Sequence, residues 1–358
     1  MTVSSQVRRG APTGGNSLVV RLTSTCGVLI ALLAAAVVAG VAIGPYALSP
    51  AEVLSAIGQG IGLGGITEVS DQQTQVVMQI RLPRVIVAAL VGAALGIAGA
   101  TMQAVFRNPL AEPGVIGISA GAATGAVTAI YFGWVALSRW VLPVAAFLGA
   151  VVTMLAVFAV ASTRRDRSPA TLLMIGIAIS AFLGAVISVM VTTASTEEEL
   201  RGIVFWLQGG LGARTWDHVH LVLVPIMAAA VALAAFGRDL NVLLIGDNAA
   251  RSSGVDVGRT RIGLLVLASL LTGAAVSVSG VIGFVGLVVP HAIRLVLGPD
   301  NRVLLPASAL GGAAFLVLAD VVARTAFSPL ALPVGILTAL LGAPVFLYLV
   351  LLKAGVNR

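Results

Sequence analysis

The chain has 358 residues, of which 58% are apolar and only 10% are charged, and a mean hydropathy of +1.06 excludes an ordinary soluble globular protein. Its formal net charge of +7 would suggest nucleic acid as a partner only if the basic residues formed a patch, whereas here they are spread over the gaps between apolar stretches. The single cysteine, Cys26, excludes an internal disulfide, and the single lysine, Lys353, follows no glycine-rich loop, which excludes a P-loop ATPase within this polypeptide.

Ten apolar stretches predict an all-α membrane protein, because each is near the ~20 residues that a bilayer core demands. A polar segment, residues 1–22, precedes them and is predicted to be a disordered cytoplasmic tail, and residues 354–358 form a second short tail. The membrane domain is therefore predicted at 23–353. The predicted spans are at about 24–44, 83–104, 113–131, 140–161, 169–192, 218–236, 261–281, 284–297, 304–323 and 333–352.

The basic residues are concentrated in every second gap. With the N-terminus inside, the inner gaps hold 15 of the lysines and arginines and the outer gaps hold 6. This asymmetry follows the positive-inside rule and predicts that both termini face the cytoplasm.

Two parts of the chain echo each other. Gly92, Gly99 and Pro109 are spaced as Gly273, Gly280 and Pro290 are, and Leu142-Pro143 with Gly149 matches Leu305-Pro306 with Gly312. In the predicted topology the members of each pair cross the membrane in opposite directions, which is typical of the inverted repeats of transporters. Chance matching among abundant glycines and alanines is the alternative.

The longest inner gap, about 237–261, contains a possible helix–glycine–helix element. Asp247 is predicted to cap a short helix through Arg251, and Gly254 to end that helix before a second short one. An ordered element of this kind suits a docking site for a partner on the cytoplasmic face. A solvated connection is the alternative.

Three of the six outer-gap arginines stand at the ends of predicted spans, against the general bias. Arg81 and Arg84 stand at the entry of the second span and Arg324 at the exit of the ninth. Arginine suits two-point capture of carboxylates, although anchoring at the membrane surface explains such positions equally well. Asp320, one helical turn before Arg324, can pair with it, and it is the one acid that this topology places inside a span.

His218 and His220, with Asp217, could suggest a metal site. Alternate spacing does not put two ligands on one helical face, and no third ligand is near in sequence. A cluster at the membrane interface with Trp216 is the favoured interpretation, and no metal site is predicted.

Six ordered blocks in the sequence closely resemble the FecCD family of permeases. They are R-L-P-R (81–84), F-R-N-P-L-A-E-P-G-V-I-G (106–117), L-R-G-I-V-F-W-L-Q-G-G (200–210), I-G-D-N-A-A-R-S-S-G-V (245–255), G-F-V-G-L-V-V-P-H-A-I-R (283–294) and L-P-V-G-I-L-T-A-L-L-G-A-P-V-F (332–346). The resemblance covers about residues 25–353. It implies a ten-helix permease of a type II ABC importer for iron–siderophores, haem or cobalamin, paired with a second permease subunit, most simply as a homodimer.

The resemblance also implies partners and site residues. Two cytoplasmic ATP-binding subunits and an external substrate-binding protein are expected, and this chain is expected to be a transport subunit that binds no cofactor and leaves ATP hydrolysis to its partner. Arg81, Arg84 and Arg324 match the arginines that meet acidic side chains of the binding protein. The residues matching the ATPase-coupling helices are Gly246, Asp247, Ala249, Ala250, Arg251 and Gly254. Asn108 and Leu110 match one gate element, and Ser168 and Thr171 occupy the second, where this chain departs from its relatives in carrying Ser-Pro-Ala-Thr.

Together these features predict a bacterial inner-membrane permease that imports an iron chelate, either a ferric siderophore or haem, by alternating access. A cobalamin importer is the alternative within the family. A proton-driven secondary transporter or a passive channel are alternatives outside it. A secondary transporter usually carries several membrane-embedded acids, and a channel would not need the docking element.

Overall fold

The computed structural model describes residues 15–44, 48–163, 169–327 and 330–356. Within those ranges the chain consists of helices and the turns that join them, which confirms the predicted all-α fold. The α-helices are α1 (Gly15–Ala42), α2 (Pro50–Gly60), α3 (Asp71–Gln75), α4 (Leu82–Phe106), α5 (Ile118–Tyr131), α6 (Val141–Ser162), α7 (Pro169–Thr192), α8 (Glu197–Leu207), α9 (Trp216–Ala235), α10 (Gly237–Ile245), α11 (Asp247–Ser252), α12 (Val257–Ser279), α13 (Val285–Leu297), α14 (Asn301–Thr325) and α15 (Val334–Val356).

The first and last helices extend further than predicted. α1 begins at Gly15, inside the segment predicted as a tail through residue 22, and α15 continues past the predicted boundary at 353. Neither 16–22 nor 351–354 contains a proline, so nothing in these segments ends a helix. The rest of the predicted N-terminal tail, residues 1–14, lies outside the described residues.

Among the described residues, seven helices or continuous helical segments are long and apolar enough to cross a membrane, and α5, α13 and the part of α15 up to Tyr348 are shorter apolar helices. α5 has 14 residues and α13 has 13, so each rises only about 20 Å. A bilayer core is ~30 Å thick. The predicted span at 113–131 is therefore not a continuous α-helix, whereas the one at 284–297 coincides with α13, which is too short to cross a bilayer core alone. A 3₁₀ turn, Pro113–Ile116, precedes α5, and the non-helical segment 280–284 precedes α13.

The two segments that echo each other in sequence pack in equivalent ways. A Cβ atom on Gly92 of α4 would collide with the carbonyl oxygen of Gly312 on α14, and one on Gly273 of α12 would lie 3.0 Å from the Cβ of Ala150 on α6. Gly273 is the counterpart of Gly92 in the repeat, and Gly149, beside Ala150, is the counterpart of Gly312. The same kind of helix pair thus occurs twice, as an inverted repeat requires. Small residues at these positions let the helix backbones approach closely.

The centre of the molecule is formed by α4, α12 and α14, which have the largest buried shares among the long spans, whereas only 11% of the apolar window of α7 is buried. α3 and α4 are joined by a π-helical turn, Val76–Arg81, into one continuous segment. Pro83, in the first turn of α4, has no backbone N–H to donate to the carbonyl four residues earlier. The π turn lies where this regular α-helical hydrogen bonding is interrupted. This turn sets the direction in which the Arg81 side chain leaves the helix.

Candidate functional site

The three predicted docking arginines, Arg81, Arg84 and Arg324, lie together around the end of α1. Arg81 is buried, and its Nη1 donates hydrogen bonds to the carbonyl oxygens of Val41 at 2.6 Å and Ala42 at 3.1 Å. Arg324 donates to the carbonyl oxygen of Gly40. The last carbonyls of a helix have no partner within it, so these two arginines cap the C-terminus of α1.

Asp320 is the acid that holds this cluster together. Its side chain is 2% exposed, and it pairs with Arg84, whose side chain is 22% exposed, and with Arg324, whose side chain is 9% exposed. The predicted Asp320–Arg324 pair is present, with Nε and Oδ2 3.5 Å apart. The stronger partner is Arg84, through a two-point contact that sequence spacing could not reveal. Of the three predicted docking arginines, Arg84 is the one with the most exposed side chain.

Arg214, in the loop before α9, is a further basic residue beside Arg84. Burial, and then the positive charge of Arg84, lower the pKa of Arg214 to about 10. Its Nη1 lies 3.4 Å from Nε2 of His218. Nothing in the local sequence around Arg214 distinguishes it from other loop arginines, so only the fold reveals its position beside Arg84.

The histidines of the H-x-H pattern have separate contacts. His218 closes a capping box with Thr215 at the start of α9. His220 stacks on Trp216, with ring centroids 6.2 Å apart, and Trp216 donates its Nε1–H to the carbonyl oxygen of Met78 at 2.8 Å. Asp217 pairs with Arg139 at 2.7 Å. Each of these four side chains therefore has a contact within the protein, and the interface-cluster interpretation stays a prediction.

At the opposite end of the molecule, α10 and α11 form the predicted coupling element. Gly246 separates them with φ +147°, and Gly254 follows α11 with φ +82°, both in the region that favours glycine. The N–H of Val255 bonds to the carbonyl of Ala250, which closes the end of α11. Ala249 is half-buried, Ala250 is buried, and Arg251 and Gly254 are exposed.

Two details of this element were predicted wrongly. Asp247 is the first residue of α11 rather than its cap: Gly246 stands at the N-cap position, and the Asp247 side chain pairs with Arg107 and Arg261. No second short helix follows Gly254. The long helix α12 starts at Val257, and Asp256 caps it by accepting the N–H of Arg259. The second short helix is α10, which precedes α11.

Asp247 lies outside the membrane-spanning helices, where its charge is set by the two arginines. Burial acts to raise the pKa of Asp247, but the hydrogen bonds and charges of Arg261 and Arg107 outweigh it and hold the pKa below its usual range. The carboxylate is therefore ionised at neutral pH and links α4, α11 and α12.

The structure describes three of the four predicted gate residues. Asn108 and Leu110 lie in a tight turn after α4, where Asn108 Oδ1 accepts the N–H of Leu110 at 2.9 Å. Thr171 lies in the first turn of α7 and is half-buried, whereas Ser168 lies outside the described residues.

One cleft of about 680 Å³ is lined by the predicted coupling element and by residues adjacent to the predicted gate residues. Arg107, from the end of α4, and Ala170, next to Thr171, line it on one side. Residues 245–249 line it on the other. The sequence blocks for coupling and gating, far apart along the chain, thus share one surface.

A second cavity, of about 370 Å³, lies between the two halves of the repeat. Glu112 lines it, together with the hydroxyls of Ser119, Ser180 and Thr272. The Glu112 carboxylate accepts a hydrogen bond from the backbone N–H of Phe284, at the start of α13. Glu112 is thus a second acid, besides Asp320, that is at least partly buried among the helices. The sequence pattern does not single out Glu112 because the predicted span begins just after it, at residue 113.

Comparison with known proteins places this geometry in a family. The model of the FecCD transport family matches residues 32–352. The cobalamin import system permease of Halobacterium salinarum is 50% identical over 76% of this chain and 73% of its own length. The hemin transport system permease of Yersinia pestis is 43% identical over 80% of this chain and 86% of its own length. A solved structure, described as a metal-chelate type ABC transporter in an inward-facing conformation, superposes with a TM-score of 0.81 at 34% identity, covering 92% of this chain and 99% of that one.

Proposed function

Because the chain belongs to the FecCD transport family, whose members are the membrane permeases of ABC importers, we propose that it moves a metal chelate inward in partnership with a separate ATP-binding subunit. The observation that carries this proposal is the cleft shared by α11 and the turn after α4. It offers a surface where a cytoplasmic partner can act directly on the gate.

The exposed side of α10 and α11 supports docking by a protein partner. Ile245, at the junction of the two helices, is 77% exposed, and Leu244 is 37% exposed. Exposed apolar side chains outside the membrane-spanning helices favour a protein interface, and Arg251 beside them supplies a charge. An ATP-binding subunit seated here would contact α11, whose Asp247 reaches the end of α4.

Hydrolysis of ATP is assigned to that partner, since Lys353 is the chain's one lysine and follows no glycine-rich loop. Purified without any partner, the chain is expected to hydrolyse no ATP. ATP hydrolysis should appear when the ATP-binding subunit is added. When the complex is reconstituted in vesicles, the transported substrate should increase the rate of ATP hydrolysis. Activity of the isolated chain, in a preparation shown by mass spectrometry to contain no other protein, would contradict this assignment.

The proposed substrate is a metal tetrapyrrole. The sequence favoured an iron chelate, either a ferric siderophore or haem, with cobalamin as the alternative. The relative at 50% identity is named for cobalamin and another relative for hemin, and both ligands are large metal-centred macrocycles. We therefore propose cobalamin as the first candidate substrate and haem as the second. Uptake by proteoliposomes containing the whole importer, with cobalamin, hemin and a ferric siderophore in parallel, tests the choice. Uptake of the siderophore alone would contradict it.

Two further partners complete the proposed importer, which we place in the cytoplasmic membrane. A second copy of the chain is proposed to pack on the exposed apolar face of α7, where Met174 is 70% exposed and Phe182 is 68% exposed, and the path for substrate would run between the copies. An external binding protein is proposed to dock near Arg84. Cross-linking between cysteines introduced at Met174 tests the first of these partners in membranes.

A further inference from the structure

The turn that carries Asn108 and Leu110 is tied to the end of α4. The N–H of Asn108 bonds to the carbonyl of Gln103 at 3.1 Å, and the N–H of Ala111 bonds to the carbonyl of Asn108 at 3.1 Å. With the side-chain contact from Asn108 to Leu110, these bonds make residues 107–111 a compact unit. A displacement of Arg107 must therefore move the whole turn.

Arg107 reaches from this turn to both short helices of the coupling element. Its Nε donates to the carbonyl oxygen of Leu243 in α10 at 3.0 Å, and its Nη2 pairs with Asp247 of α11 at 2.5 Å. Arg261, from α12, holds the same oxygen of Asp247 at 3.0 Å. One planar guanidinium thus bridges two helices, which a lysine ammonium cannot do in the same geometry.

The backbone of Arg107 indicates that its side chain matters. It adopts the left-handed conformation, φ 50° and ψ 33°, after the last residue of α4. Glycine is the residue usually found at such a helix end, and any other side chain carries a steric cost there. A strained residue of this kind persists where its surroundings hold it in place. Here the contacts with Leu243 and Asp247 do so.

We propose that Arg107 is a positioning residue that transmits movement of the coupling element to the gate turn at 108–110, with Asp247 as its counterpart. This inference rests on the proposed function, in which an ATP-binding subunit displaces α11. When α11 moves, the bond from Asp247 pulls Arg107, and Leu110 moves with it. Arg261 keeps Asp247 oriented during this movement.

The test follows the gate turn directly. Cys26 is replaced by serine and Leu110, which is 52% exposed, by a spin-labelled cysteine, in the complex with the ATP-binding subunit in nanodiscs. Spectra with and without ATP and vanadate report movement at position 110. Transport and ATP hydrolysis are measured on matched samples that retain Leu110. The variants are Arg107→Ala, Arg107→Lys, Asp247→Asn and the double variant Arg107→Ala/Asp247→Asn. The control is Arg259→Ala, whose arginine side chain is 92% exposed on the same end of the molecule.

The expected result separates coupling from assembly. Arg107→Ala should assemble with the ATP-binding subunit and hydrolyse ATP, while the nucleotide-dependent spectral change and transport per ATP both fall about tenfold. Arg107→Lys should retain only part of the spectral change and of the transport per ATP, and Arg259→Ala should match the parent in both. Asp247→Asn, which keeps the side-chain volume, should show the same loss, and the double variant should lose no more than either single one, because both remove one link.

Two contrary results have different meanings. If the parent responds to ATP and both Arg107→Ala and Asp247→Asn respond equally, Arg107 has no positioning role and the proposed function stands. If the parent itself fails to bind an ATP-binding subunit or shows no response at position 110, the proposed function fails, and this inference with it.

Discussion

Arg84 and Asp320, 236 positions apart in the sequence, form a two-point ion pair in which Nε and Oδ2 are 2.9 Å apart and Nη2 and Oδ1 are 2.7 Å apart. This pair joins α4 to α14 at the outer end. Asp320 is also the carboxylate nearest to Arg324, which caps α1. A single acid therefore holds three helices.

Removing that acid should destabilise the protein. Asp320→Asn leaves Arg84 and Arg324 close together without their anion, and breaking a buried ion pair from one side costs about 3–5 kcal/mol. We expect a clear fall in the thermal unfolding midpoint in detergent. Asp256→Asn, which removes an acid whose side chain is 58% exposed from an ion pair, is the control and should change the midpoint little. An unchanged midpoint for Asp320→Asn would show that the cluster is not needed for stability.

The proposed docking role of Arg84 needs a test that separates it from this internal pair. Arg84→Gln and Asp320→Asn both break the pair, but only the first removes positive charge from the outer surface. If an acidic binding protein docks here, Arg84→Gln should slow its association about tenfold at low salt, whereas Asp320→Asn should keep or increase the rate. Surface plasmon resonance at two salt concentrations measures both. Equal losses for the two variants would mean that the arginines act only within the chain.

The close contact of α4 and α14 predicts that a Gly→Ala substitution lowers stability at this contact but not on the open face of α7. A Cβ on Gly92 would collide with the backbone of Gly312, whereas one on Gly184 of α7 meets nothing within 4 Å. Gly92→Ala should therefore lower stability by about 1–3 kcal/mol through overpacking, and Gly184→Ala should not. The unfolding midpoint of each variant in increasing concentrations of a denaturing detergent measures this difference in stability. A tolerated Gly92→Ala would indicate that α4 and α14 can separate slightly at no cost.

The glycine after α11 should be sensitive to size as well as to backbone conformation. Gly254 has φ +82° and open space around the position of a Cβ. Asparagine tolerates this backbone and tryptophan does not. In the docking proposal Gly254→Asn should largely preserve transport, and Gly254→Trp should abolish it while membrane insertion stays normal. Normal transport by an inserted Gly254→Trp protein would exclude a tight interface at this position.

Asp300 makes the pH dependence of stability testable. Hydrogen bonding by Arg302 is the largest cause of the lowered pKa of Asp300, which falls from 3.8 to about 2. The unfolded chain therefore binds more protons between these values, so the contribution of Asp300 to stability is present above about pH 4 and is lost as the pH falls through about 2. Unfolding midpoints of the parent and of Asp300→Asn, which keeps the helix cap, should differ at pH 5 and converge toward pH 2. A constant difference would show that ionisation of Asp300 contributes nothing.

Much of the architecture was predictable because its causes are local. Hydropathy within about 20 residues identifies a span, the count of arginines in alternate gaps predicts orientation, and the spacing of Gly92, Gly99 and Pro109 against Gly273, Gly280 and Pro290 revealed the repeat. The blocks at 106–117 and 245–255 predict where the gate and coupling elements lie along the chain, and those two roles stay predictions.

The tertiary structure alone decided how these pieces meet. Asp247 was predicted to cap a short helix through Arg251, yet the folded chain brings Arg107 and Arg261 to its side chain from the end of α4 and from α12. The span predicted at 113–131 begins with a 3₁₀ turn instead of α-helix, and α13, although found at its predicted position, is short and follows the non-helical segment 280–284. Buried polar backbone is tolerated at membrane depth only where protein surrounds it, and that enclosure depends on helices distant in sequence. Hydropathy and loop charge act within a short stretch of chain, whereas the partner of a buried charge is set by which helices pack together.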